Sequence, residues 1–258
     1  MKKLLLFISV CCFALAAHCQ KTDSLRVLWI GNSYTYVNNL PKMVQKIAAT
    51  NGVKLAYVSA VQGGAYFEGH LKREVVLKNI KNGGWDYVVL QEQSANPAKP
   101  TQRVITDVYP YAKELVQLIR KNSPEAKIIF YMTWGHKSGN QEGVPDYPLD
   151  DTYEGMQERV KTTYLEMAYQ NNAWCAPVGM AWRKIHTERP NMVLYNQDQS
   201  HPSIIGSYLA ANVIFSTIFQ KPYQTEYTEG IPEEKAEYVQ QVAQHTVLDN
   251  LQLLNIQK

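Results

Sequence analysis

The junction that most constrains this chain is the one where the run Leu25-Arg26-Val27-Leu28-Trp29-Ile30 stops at Gly31-Asn32-Ser33-Tyr34-Thr35. The apolar stretch is long enough for a buried strand, and Gly31 permits a backbone turn that a β-carbon would oppose. Ser33 is then delivered at a strand's carboxyl end, the side of an open α/β sheet where ligands gather. A serine in such a turn serves as a helix cap as readily as a nucleophile, so the rest of the chain has to separate the two readings.

The same punctuation recurs downstream. Residues 41–49 predict a helix opened by Pro41 and closed by Asn51-Gly52, and residues 53–61 a second strand ending in Gln62-Gly63-Gly64. Helical periodicity over 67–80 stops at Asn82-Gly83-Gly84, and a third strand over 85–90 runs into Gln91-Glu92-Gln93-Ser94. A helix over 101–121, a fourth strand over 126–134, a long loop over 135–148, a helix over 151–170, a fifth strand over 174–178 and a helix over 181–186 follow. The polar segment 195–203 precedes an apolar helix over 204–219, in which Gly206, Ala210 and Ala211 suggest close packing, and an amphipathic helix over 232–254 closes the chain. Strands that alternate with helices in this way predict an α/β fold: a parallel sheet of about five strands, helices on both faces, right-handed crossovers.

A chain of 258 residues suits one such domain, here residues 25–258, and at that size about three quarters of the unfolded surface can be buried without a metal or disulfide staple. The formal charge of +3 comes with no Lys/Arg stripe, which argues against a nucleic-acid partner. Lys2 and Lys3 before the apolar run 4–17 read as a signal peptide over residues 1–19, cleaved after Ala16 or after Cys19, and hence as export to the periplasm or the medium. The run is too short for a membrane span. His18 is a poor fit to the small residue of a lipidation signal, which argues against an anchor at Cys19. With Cys11, Cys12 and Cys19 in or beside the leader, Cys175 remains as a buried structural thiol in an apolar run. His70, His136, His186 and His245 show no ligand spacing, so no metal is expected.

Serine catalysis needs a base within hydrogen-bond reach and a third group to orient it. Asp198 and His201, with two residues between them in Asp198-Gln199-Ser200-His201, supply both. Acyl transfer also needs donors aimed at the developing oxyanion. Three strand ends offer them: the N–H of Ser33, the N–H of Gly64, and a side-chain amide from Gln93 or Gln91. Trp134, at the end of the fourth strand, reads either as core or as a rim residue stacking on a sugar, with Asn32 as a second rim residue.

Serine in Gly31-Asn32-Ser33, glycine after the second strand, an amide after the third and Asp198-x-x-His201 together resemble the four blocks of the SGNH hydrolase (GDSL-like esterase) superfamily, over residues 25–219. The resemblance implies a flavodoxin-like three-layer sandwich with Ser33 as nucleophile, His201 as base and Asp198 as its orienter. Two blocks depart from the family pattern. Asn32 stands where Gly-Asp-Ser has aspartate, and Gln91-Glu92-Gln93-Ser94 replaces Gly-x-Asn-Asp, resembling the Gln-Gly-Glu-Ser of carbohydrate acetylesterases. The expected function is an exported serine esterase that needs no cofactor and removes a small acyl group, acetyl first, from a carbohydrate. Lipase or thioesterase activity on the same fold, or noncatalytic glycan binding, are the alternatives.

Overall fold

The computed structural model describes residues 24–140, 143 and 147–256. The leader read over residues 1–19 lies outside them, as does part of the loop 135–148. Five parallel strands, β1 (Leu25–Ile30), β2 (Leu55–Ser59), β3 (Tyr87–Leu90), β4 (Lys127–Tyr131) and β5 (Trp174–Ala176), form one sheet in the order β2-β1-β3-β4-β5. The central strands are buried along nearly their whole length, Val27–Ile30 in β1 and Val88–Leu90 in β3, as strands covered on both faces must be. Register matters for the site: Ile30 lies beside Leu90 and Leu90 beside Phe130. The carboxyl ends of β1, β3 and β4 are therefore level, and the residues following them meet at one edge.

The order reverses at β1, whose crossover to β2 runs opposite to all later ones, so right-handed connections put its helix on the other face. That helix, α2 (Leu40–Thr50), follows the single turn α1 (Ser33–Tyr36) and packs against α9 (Ile204–Phe219), which in turn packs against α10 (Glu233–Leu248). The short α3 (Phe67–His70), α4 (Glu74–Asn82), α5 (Thr101–Asp107), α6 (Tyr109–Asn122) and α7 (Tyr153–Gln170) cover the opposite face, and α8 (Val178–Glu188) links β5 toward α9. The flavodoxin-like α/β sandwich expected from the sequence is the fold, with its ligand-binding crevice predicted where β1 and β3 part.

Two expected helices are broken. The helix read over 67–80 is split because Arg73 takes an extended conformation and points its guanidinium at the carbonyls of Ala60 and Val61, 3.3 and 3.2 Å away. The helix read over 101–121 is split at Val108 because Pro110 has no N–H to give the carbonyl four residues back. The last helix ends at Leu248 rather than near 254, and the Leu254 carbonyl instead accepts the Cys175 N–H at the sheet's edge (3.0 Å). Cys175 is buried, and burial pushes its thiol far above the ordinary range.

Helix α9 is buried almost all round, and Gly206 in its first turn is what lets it seat. A β-carbon there would lie 2.4 Å from the Leu194 carbonyl oxygen and 2.5 Å from the Trp182 ring. Gly206→Ala should therefore lower stability by about 1–3 kcal/mol, the usual cost of overpacking. Urea unfolding reads this directly, and a midpoint equal to that of wild type would contradict the packing described.

Candidate active site

Ser33 is the first residue of α1, so its N–H is one of the helix's opening amides and has no acceptor within the helix. Its hydroxyl oxygen lies 2.9 Å from His201 Nε2, and His201 Nδ1 lies 2.6 Å from Asp198 Oδ2. The second Asp198 oxygen accepts the N–H groups of Ser200 (3.0 Å) and His201 (2.9 Å), which fixes the carboxylate on the loop that carries the base. Burial alone would raise the Asp198 carboxyl. The two backbone donors and the imidazole together outweigh it and hold the carboxyl below the ordinary range. Ser33 is half-buried, so its hydroxyl is not sealed in the core.

The turn that presents Ser33 is held from beneath. Gly31 needs no unusual φ; a β-carbon there would sit 2.7 Å from Gln91 Oε1 and 2.5 Å from Thr35 Oγ1, so close approach, rather than the turn itself, requires glycine. Gln91 is wholly buried. Its oxygen accepts from the Asn32 N–H and the Thr35 hydroxyl, both at 2.9 Å, and its nitrogen donates to the Glu92 carbonyl. The amide is thus consumed in supporting the serine turn, and the expectation of Gln91 as an oxyanion donor is corrected. Asn32 is corrected too: it is buried rather than on the rim. Its Oδ1 caps Tyr34 N–H (3.1 Å) and its Nδ2 donates to the Ala65 carbonyl (3.1 Å).

That last bond draws the turn after β2 onto the serine turn. Gln62 N–H donates to the Gly31 carbonyl (3.1 Å), and Ala65 N–H closes on the Gln62 carbonyl (3.1 Å), so Gly63 and Gly64 are the turn's central pair. Gly64 is exposed, with open space where a β-carbon would stand, but its φ of +67° is the kind that position favours only for glycine. On the other side of β1, the Gln93 oxygen accepts the N–H groups of Ala95 (2.8 Å) and Asn96 (3.1 Å), which orients its amide. Between these two segments lies Glu92, fully buried, whose carboxylate takes N–H bonds from both.

The base loop is bracketed by an aromatic stack. Trp134 lies face to face between Tyr34 (4.7 Å between centroids) and Trp182 (3.9 Å), with no exposed surface, and its indole N–H donates to the Ser200 carbonyl (3.0 Å). It belongs to the core and not to a sugar-binding rim, because the chain past β4 turns its ring inward beneath the loop. The Tyr34 hydroxyl shares a 2.5 Å hydrogen bond with Ser200 Oγ, and burial pushes the phenol up to about 12, so it stays protonated. Beside it, the half-buried His136 ring meets Ser94 Oγ at 3.0 Å. Lys137 N–H and the Ser138 hydroxyl both reach Gln199, at 2.9 and 2.7 Å. Tyr34, Ser200 and Glu92 were not singled out from the sequence; the place of Tyr34 next to the serine and of Ser200 inside Asp-x-x-His was the available signal. Among the described residues, no three His, Cys, Asp or Glu side chains gather as a metal centre would require.

None of the family models and none of the curated proteins compared with the chain matches it. Solved structures do. A candidate SGNH hydrolase from Slackia heliotrinireducens is 27% identical, with a TM-score of 0.61 over 76% of this chain and 99% of that one. A DUF4886 family protein from Bacteroides uniformis superposes with a TM-score of 0.70 at 19% identity, over 88% and 95% of the two chains. An acetyl xylan esterase from Geobacillus stearothermophilus gives 0.55 at 15% identity, over 80% and 100%. The chain thus has the fold of the SGNH hydrolases that its sequence blocks resemble.

The departure at Asn32 is testable in the same terms. Asn32→Asp would set a carboxylate oxygen against the Ala65 carbonyl in place of an N–H donor. The expected cost is about 1–3 kcal/mol, the penalty for leaving buried polar groups mismatched. Chemical denaturation measures it, and an unchanged unfolding midpoint would show that the Asn32–Ala65 bond does not hold the two turns together.

Proposed function

We propose that the protein is an exported serine esterase that hydrolyses a small acyl ester, acetyl in the first place, on a carbohydrate. The observation that carries this reading is the continuous relay from Ser33 Oγ through the His201 ring to Asp198. In the first step His201 Nε2 takes the hydroxyl proton as Ser33 Oγ attacks the ester carbonyl. The oxyanion so formed is met by the N–H groups of Ser33 and Gly64 and by the Gln93 amide. As it collapses, His201 returns the proton to the departing alcohol, leaving an acyl-serine. Water, deprotonated by the same ring, then releases the acid and restores Ser33. No cofactor enters these steps.

Three features support the finer parts of the reading. The leader over residues 1–19 supports export. The Gln91-Glu92-Gln93-Ser94 run and the shared fold with an acetyl xylan esterase support acetyl as acyl group and carbohydrate as alcohol. The half-buried His136, whose ring is bonded to Ser94, would offer the substrate's free hydroxyls a polar partner.

Acetate release from acetylated xylan, pectin and sialosides, by wild type and Ser33→Ala, tests both reaction and substrate. Ser33→Ala should lose at least about a thousandfold in kcat; equal rates would end the serine hypothesis, and tight glycan binding without acetate release by wild type would favour a noncatalytic role. Gln93→Ala should lower turnover about a hundredfold, as loss of one oxyanion donor does elsewhere.

A further inference from the structure

We infer that Glu92 is a positioning residue that sets the distance between the oxyanion donors, its carboxylate bridging the turn after β2 to the segment after β3; this rests on the esterase reading above. One oxygen, Oε2, accepts the N–H of Phe67 at 2.9 Å, and Phe67 opens α3 three residues beyond Gly64. The other, Oε1, accepts the N–H of Gln93 at 2.6 Å and the Asn96 Nδ2 at 3.2 Å. Each segment thus supplies Glu92 with a backbone donor and the oxyanion with one of its proposed donors, Gly64 N–H from the first and the Gln93 amide from the second. Preorganised donors help the transition state only if they already stand where the charge will form. Arg73 pins the start of the first segment at Ala60 and Val61. Glu92 ties its far end directly to the second.

The arrangement is costly for the fold, which is why packing alone does not account for it. Both oxygens are met by neutral donors, and a buried carboxylate without a bonded cation is penalised. The charged and titratable groups facing it are Lys99, from its own side of β3, and Tyr164 from α7, whose hydroxyl accepts the Glu92 N–H; α3 contributes the Phe67 amide. Burial pushes the carboxyl up to about 7, against the hydrogen bonds of Phe67, Gln93 and Asn96 and the charge of Lys99. Unfolded, the same group ionises near its ordinary value of 4.5. Between the two the folded chain keeps a proton that the unfolded chain has lost, so this group's effect on stability worsens as pH rises through that window. The ionised form alone offers acceptors on both oxygens. A protonated carboxyl, or the amide of glutamine, turns a donor toward the N–H of Phe67 or Gln93.

The test compares ester hydrolysis by full-length wild type, Ser33→Ala, Glu92→Gln and Asn96→Ala, with p-nitrophenyl acetate as substrate. Glu92→Gln should lower kcat about ten- to a hundredfold with KM within about twofold, while its unfolding midpoint improves relative to wild type from about pH 5 to pH 8. Asn96 is partly exposed, and Asn96→Ala removes one donor to the carboxylate without emptying the core. Only the ionised carboxylate holds both segments, so activity should fall on acidification as Glu92 gains a proton, and Asn96→Ala should move that acid limb to higher pH. Wild-type kcat in Glu92→Gln would overturn the inference. So would a loss no larger than the loss of folded protein, coupled with an unmoved acid limb in Asn96→Ala. Full activity in Ser33→Ala would instead remove the esterase reading itself, so the two failures are distinguishable.

Discussion

A serine hydroxyl is a poor nucleophile until a base removes its proton in flight, and the proposed reaction therefore depends on one 2.9 Å contact between residues 168 positions apart, Ser33 and His201. Neither residue can hold the distance by itself. Ser33 sits just past the end of β1 with α2 following a few residues later, and His201 stands three residues before α9 begins. Since α2 and α9 pack on each other across one face of the sheet, nucleophile and base are fixed to two parts of the same layer. The close seat of Gly206 under Trp182 and Leu194 belongs to the same requirement, because a shift of α9 would carry His201 with it.

Helix packing sets the approach of the base loop, and the aromatic stack sets its lateral position. Ser200, between orienter and base, is held by its carbonyl on the Trp134 indole and by its hydroxyl on Tyr34. Stacked pairs contribute about 0.5–1.5 kcal/mol each beyond the area they bury, and Trp134 makes two of them. That rigidity suits a loop whose backbone is strained: Gln199 adopts a φ of +62° and is clasped by Lys137 and Ser138. A loop this exposed would otherwise sample many conformations, and the relay needs one.

The strands, the crossovers and the Ser33, Asp198 and His201 positions were legible because each is a local pattern: apolar runs ending in glycine, and polar residues at fixed short spacing. What was not legible depends on partners far along the chain. The break at Arg73 requires carbonyls 12 and 13 residues earlier, which no helical period reveals. Gln91 and Gln93 look alike on paper, two residues apart as if on one strand face. The chain leaves the sheet after Leu90, so the period of two no longer applies, and one amide turns under the serine while the other caps the following turn. Trp134 stayed open between core and rim for the same reason, since a residue just past a strand end can turn toward the cleft or the core. A glutamate beside them reads as solvent-exposed by type; its burial follows from backbone N–H donors that become visible only in three dimensions.

The two carboxylates of the site show how differently one functional group is used. Asp198 has half of its side chain exposed, so its charge is screened and its Coulombic support for a protonated imidazole is weak. What it gives is geometry: Oδ2 selects the tautomer with the proton on Nδ1 and leaves Nε2 as acceptor toward Ser33, while Oδ1 locks the carboxylate to its own loop. Glu92 reaches the same end by the opposite route, inside the protein where each hydrogen bond is stronger and the cost of a missing one is larger. In the proposed reaction the exposed carboxylate orients a residue that moves a proton in every turnover. The buried one would fix the proposed oxyanion donors, and its placement away from solvent is what would make the fixing firm.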